Sequence, residues 1–256
     1  MNLASIDIVQ HFFALIWPMI RISAMFIAAP IYSLKAFNLR LRILLALVLA
    51  VMIYPMYRWP QIDPLSAEGL FEVFNQIAIG AVMGMTLQVV VAAVVVAGQS
   101  MSNSMGMSMA SMIDPAIGNV PVISEFLQVL STLIFVSLGG HGLLMGLVID
   151  SFQTLPIGQV FAGQAAWGLF VQWSSMVFLG ALLMALPIMV TLLFVNMGLG
   201  VLTRATPSLQ IFSVALPASI IAGFLVLWLS LGHVGARIQW LWVQSFEQVR
   251  HLFNLA

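Results

Sequence analysis

The chain has 256 residues, 62% of them hydrophobic and only 6% charged, with eight Lys+Arg balancing eight Asp+Glu and no cysteine. Soluble domains average about 25% charged and 45–50% apolar residues. This composition excludes an ordinary cytosolic enzyme, and it excludes a disordered chain, which needs many charges and little hydrophobicity. Zero net charge offers nucleic acid no basic face, so nucleic acid is not expected as a partner. The missing thiols remove disulfides, Cys-ligated zinc, iron–sulfur clusters and thiol catalysis. Membrane lipid, partner proteins or both must solvate the chain.

The opening MNLASIDIVQHFF lacks a positive n-region and places Asp7 before the apolar run, so no cleavable signal is expected. A helix needs about 20 apolar residues to cross the hydrocarbon core. Six segments are predicted, at about residues 11–34, 41–57, 70–97, 126–149, 166–195 and 211–231. They lack the strict alternation of barrel strands. The first holds Arg21 between Pro18 and Pro30. The second is short, with Pro55 inside its apolar run Ile43–Tyr57. Ile62–Glu68 then reads as a turn at Asp63–Pro64 followed by a helix that Ser66 caps.

Glu125 heads the fourth segment, where an acid complements a helix N-terminus. The glycines of Leu138–Gly142 (LGGHG) and Gly198–Gly200 (GLG) are expected to be flexible joints. The fifth segment runs 30 residues from Ala166 to Val195 and contains Pro187; the sixth contains Pro217. Each internal proline removes a backbone donor and favours a kink. Arg204 follows in LTRATP, among the hydroxyls of Thr203, Thr206 and Ser208. Lys35, Arg40, Arg42 and Arg204 would fall on one face of a six-span arrangement and Arg58, Arg237 and Arg250 on the other. That near-balance sets no orientation. Spans this uneven fit a uniform bilayer poorly. The expectation is an all-α integral membrane protein of long, kinked helical hairpins, with residues 1–256 forming one helical domain whose packing an assembly completes.

The stretch 98–121, GQSMSNSMGMSMASMIDPAIGNVP, differs in kind. Met101, Met105, Met109 and Met112 recur at helical spacing, so a helix there would carry one thioether stripe. Gly106 weakens that helix and Asp114–Pro115 stops it. The reading is a re-entrant Met/Ser-rich loop, either packed statically or closing a passage and yielding when something passes, since methionine adapts to surfaces of changing shape.

Catalytic patterns are lacking. His11, His141, His233 and His251 show no metal-ligand spacing, and neither a phosphate loop nor a G-x-S-x-G elbow occurs. Glu72 and Asp150 read as lone acids acting as caps or interfacial anchors. Ser100, Ser102, Ser104, Ser108 and Ser111 read as helix–helix contacts rather than nucleophiles. Arg21 and Arg204 are expected to snorkel or to pair across a subunit boundary, rather than bind an ion or substrate. No catalytic residue, cofactor or metal is expected.

Three stretches carry a resemblance: RISAMFIAAPIYSLKAFNLRLRILLAL (21–47), GQSMSNSMGMSMASMIDP (98–115) and RATPSLQIFSVALPASIIAGFLVL (204–227). On these the chain resembles the FliR family of the flagellar type III export apparatus over essentially its whole length. Gln210 stands where that family's pattern has Asn, and methionines fill 105–112 where relatives can carry aromatics. The resemblance implies an export-gate subunit of the inner membrane and flagellar basal body, assembled with FliP and FliQ, contacted by FlhB and conducting unfolded flagellar proteins. It also implies a pore plug carried by Met105, Gly106, Met107, Met109, Met112, Asp114 and Pro115, with Arg21, Arg204 and Glu125 as intersubunit or structural charges. The alternative is a secondary transporter of a small solute, whose sites lie at broken helices; the lack of an inverted repeat and the few intramembrane acids count against it.

Overall fold

A computed structural model describes residues 3–30, 38–57, 59–60, 62–107, 122–159, 164–205 and 215–255. Among them there are no strands. The helices are α1 (Leu3–Ala28), α2 (Leu39–Ile53) with a 3-10 turn at Tyr54–Met56, α3 (Ala67–Ser104), α4 (Val122–Ser137), α5 (Gly140–Thr154), α6 (Gln164–Ser174), α7 (Met176–Ala205) and α8 (Leu216–Phe253). The protein is an all-α integral membrane protein. Among the described residues, four stretches are long and apolar enough to cross a membrane: Leu39–Met56, Ala67–Ser104, Ala166–Ala205 and Leu216–Phe253. Helices α4 and α5 would add a fifth if counted together as one broken span, whereas the apolar part of α1, Phe13–Ala28, is shorter.

Local chemistry sets several boundaries. At the start of α3, Ser66 Oγ accepts from the Gly69 N–H (2.9 Å) and donates to the Asp63 carbonyl (2.7 Å), while Asp63 Oδ1 accepts from the Leu65 N–H (3.0 Å). Ser66 is thus the expected N-cap. A Cβ on Gly69 would overlap the Asp63 carbonyl oxygen, so glycine lets the turn fold back on the helix. The LGGHG joint is real: α4 and α5 part at Leu138–Gly139, with Gly139 left-handed at φ 67°.

Other expectations are corrected. Gly198–Gly200 is no joint but lies inside α7, where both glycines are exposed and a Cβ on either would meet nothing within 4 Å. Ser175 divides the fifth segment instead. Pro217 lies in the first turn of α8, where its missing N–H costs no helical bond. Pro18 and Pro187 do sit inside helices.

The chain packs as two compact units. The first comprises Met1–Val89, Gly139–Ser174 and Gln244–Ala256; the second comprises Val90–Leu138 and Ser175–Val243. In the first, Trp17, Ile22, Met25 and Phe26 of α1 and Ile79, Met83 and Leu87 of α3 form the buried core. The two helices approach closely at Gly80 and Gly84, where a Cβ would strike the Arg21 carbonyl and the Ala28–Ala29 backbone. In the second, Val94, Ala97 and Met101 of α3, Leu127 and Phe135 of α4, Met184, Ile188 and Leu192 of α7, and Val234, Ile238 and Trp242 of α8 are among the buried apolar residues. A Cβ on Gly98 would stand only 2.5 Å from the Ser124 Cα, so glycine lets α3 and α4 approach closely there. Trp242 stacks edge-on against Phe135 (4.7 Å) and donates to the Ser131 carbonyl and hydroxyl (3.2 and 3.0 Å).

Much apolar surface stays uncovered. α2 buries Ala46, Ala50 and Ile53, while Leu44 and Met52 on its other sides are 62% and 65% exposed. Phe178 of α7 and Trp228 of α8 are each 74% exposed. Faces this wide need lipid or other protein against them.

Candidate functional site

Arg21 is fully buried in the first unit, where α1, α3 and α5 meet around it. Its Nε donates to Gln76 Oε1 (2.6 Å), Nη1 to the Ser151 carbonyl (2.9 Å) and hydroxyl (3.0 Å), and Nη2 to the Leu155 carbonyl (2.8 Å). The guanidinium also lies 4.1 Å from the centre of the Phe152 ring. Gln76 passes the contact on, donating through Nε2 to Glu72 Oε1. Asn75 donates to the same carboxylate (3.3 Å) and to the Gln159 carbonyl (2.7 Å).

The physical logic is compensation. A buried charge is costly unless paired and hydrogen-bonded. Gln76 both donates and accepts, so it links a cation and an anion that stand apart. The carbonyls of Ser151 and Leu155 belong to the C-terminal end of α5, where the helix dipole favours a cation. Four of the five Arg21 donors are therefore used within the chain. Arg21 does not snorkel, and its hydrogen bonds need no neighbouring subunit; it clamps three helices. Glu72, expected at an interface, is only 3% exposed and anchors this clamp.

The sequence alone missed Gln76, Asn75 and Ser151. The one available signal was the spacing of Glu72, Asn75 and Gln76, which puts an acid and two amides on one helix face.

At the C-terminal end of α3, in the second unit, Met101 and Met105 are fully buried and Met107 is half-buried. The helix stops at Ser104. Gly106 adopts φ 82°, the left-handed conformation that ends a helix, so it terminates α3 rather than merely weakening it. The Gly106 N–H donates to the Asn103 carbonyl (3.0 Å). Asn196 of α7 donates to the Ser104 carbonyl (3.1 Å) and accepts from Ser219 Oγ of α8 (2.9 Å).

Residues 98–104 of the expected loop are thus helix. The Ser100 and Ser104 hydroxyls return to the Val96 and Ser100 carbonyls of their own helix (2.8 and 2.9 Å) instead of crossing to a neighbour. Met109, Met112, Asp114 and Pro115 lie outside the described residues. Glu125 is exposed in the first turn of α4 and Arg204 is exposed in the last turn of α7, each of the sign its helix end favours. No group of three or more His, Asp or Glu suited to a metal occurs among the described residues.

These features define a membrane-spanning helical scaffold with wide uncovered faces and a glycine-ended helix leading into the Met–Ser segment. Residues 12–245 match the family model described as bacterial export proteins, family 1, and the chain belongs to that family. The flagellar biosynthetic protein FliR of Escherichia coli (strain K12) is 35% identical over 208 residues, 81% of this chain and 80% of that protein. FliR of Buchnera aphidicola (subsp. Acyrthosiphon pisum) is 34% identical over 229 residues, 89% of this chain and 87% of that one. FliR of Bacillus subtilis (strain 168) is 28% identical over 253 residues, 97% of this chain and 98% of that one.

Proposed function

We propose that the chain is a subunit of the flagellar type III export gate, assembled with FliP and FliQ, contacted by FlhB, and sited in the bacterial inner membrane at the flagellar basal body. There it conducts unfolded flagellar proteins and performs no catalysis of its own. Likeness to flagellar proteins along nearly the whole chain supports this reading. The observation that carries it is the uncovered apolar surface of α2, α7 and α8, which neighbouring subunits would cover. Extraction in mild detergent followed by native electrophoresis tests it. A large particle containing FliP and FliQ is expected; a small oligomer that moves a solute would establish the transporter reading.

Within the gate, the Met–Ser segment helps to close the resting pore. An apolar constriction excludes water and ions by dewetting, and thioethers rearrange around varied polypeptides. The triple replacement Met105→Gly, Met109→Gly and Met112→Gly should raise ion leak through the resting assembled gate. Unchanged conductance would remove the sealing role.

A further inference from the structure

The aromatic rings that follow α2 gather against the end of α5. Trp59 stacks on Tyr54 (6.4 Å) and stands edge-on to Tyr57 (5.9 Å) and to Phe152 (5.5 Å). Their polar tips are used within the chain. The Trp59 indole N–H donates to the Tyr54 carbonyl (2.8 Å), and the Tyr57 hydroxyl donates to the Ile149 carbonyl (3.1 Å) and accepts from Gln153 Nε2 (3.2 Å). These residues leave open a cleft of about 260 Å³, walled by Tyr57, Trp59, Pro60, Phe152, Pro156 and Ile157, with Gln153 its one amide. Phe152 is held from within the unit, since the Arg21 guanidinium lies 4.1 Å from its ring centre.

The wall selects its ligand by chemistry. Among the described wall residues none is charged, so nothing there matches a phosphate or carboxylate. Aromatic and prolyl rings fit an aliphatic chain. The position of the cleft says which one. It stands where the chain leaves the span Leu39–Met56, and Val51, Met52 and Met56 just before it are 53–65% exposed. Just after it come the exposed acids Asp63 and Glu68. Tyr and Trp collect at such a boundary between hydrocarbon and water. Tyr54, Tyr57 and Trp59 include two of the chain's three tyrosines, so the band is concentrated here.

We propose that this cleft is a phospholipid site. It takes the part of one acyl chain nearest the headgroup against the rings of Tyr57, Trp59 and Phe152, and so sets the level at which α2 stands in the bilayer. The site follows from the membrane-spanning fold and is independent of the export-gate reading.

Photolabelling tests it. The full chain is reconstituted in phosphatidylcholine vesicles with a trace of phosphatidylcholine carrying a diazirine near either the ester or the methyl end of one acyl chain. Adducts are mapped by peptide mass spectrometry. Those on Tyr57, Trp59 and residues 152–157 are expected to be severalfold richer with the diazirine near the ester. Equal yields from the two probes, or labelling that marks Leu44 and Met52 but spares the cleft, overturn the site. Ile157→Trp fills the cleft and should cut its adducts severalfold while those on Leu44 and Met52 persist; undiminished cleft adducts in the folded variant overturn the site as well.

Should Ile157→Trp not fold, fluorescence gives a second measure. Phosphatidylcholine brominated near the ester should quench the parent more than Trp59→Phe, and equal quenching overturns the proposal. The assembled particle should give the same adducts. Their loss there would seat a companion's apolar side chain in the cleft and overturn the lipid. A particle without FliP and FliQ would instead sink the gate reading, so the two failures are distinct.

Discussion

Both units bring helices together at glycines, Gly80 and Gly84 in the first, but the first adds a buried charged network to that contact. In the first, a buried cation and a buried anion are joined through amides, and their bonds reach the backbone of a third helix. In the second, glycines remove the spacing between helices: Gly98 against Ser124, Gly180 against Leu241, Gly223 against Met105. The polar network is directional and fails abruptly when one member is lost. The small-residue contacts grade with side-chain size. A chain of nearly uniform hydrophobicity thus specifies its packing by its few polar groups in one place and by missing side chains in another.

The largest expected effect breaks the polar half of this contrast. Arg21→Ala leaves Gln76 Oε1 and two carbonyls without their donor and the Glu72 charge buried without a cation, and removing one member of a buried pair of charges costs about 3–5 kcal/mol. Thermal unfolding of the detergent-solubilised protein should show a large loss. Adding Glu72→Gln should recover part of it, because both charges are then gone; strict additivity of the two losses would show that the clamp is not one network.

The small-residue half is tested next. Gly98→Leu drives a side chain into the Ser124 backbone, and overpacking costs about 1–3 kcal/mol. Gly98→Ala should lie between parent and Leu, and an Ala variant as damaged as the Leu one would end the claim of graded packing.

Smallest is Ser66→Ala, which removes the cap of α3 at a cost of about 1 kcal/mol, whereas Ser66→Gly should cost only a few tenths. Equal effects would show that the hydroxyl bond to Gly69 contributes little.

The parts of the structure legible in the sequence are those written in local chemistry. The six apolar segments are found near their expected positions, and the Asp63–Ser66 turn and the break at Leu138–Gly139 are where composition put them. Reading Gly198–Gly200 as a joint failed because a glycine inside a long apolar helix looks the same as one at a hinge. The role of Arg21 was hidden for a different reason. Its partners lie 55 to 134 positions away along the chain, a separation that periodicity does not reach. The stub of the Met–Ser segment was half legible: the thioether spacing marked Met101 and Met105 as one face, but nothing near them pointed to Gly223 or Asn196.

The 38-residue helices α3 and α8 would each extend about 57 Å at 1.5 Å per residue, nearly twice the ~30 Å hydrocarbon thickness. On the export-gate reading, copies made before their companions would either tilt steeply or leave greasy turns such as those around Trp228 in water. If that reading holds, copies without companions should turn over faster than assembled ones, and the supply of companions would limit how much of this protein accumulates.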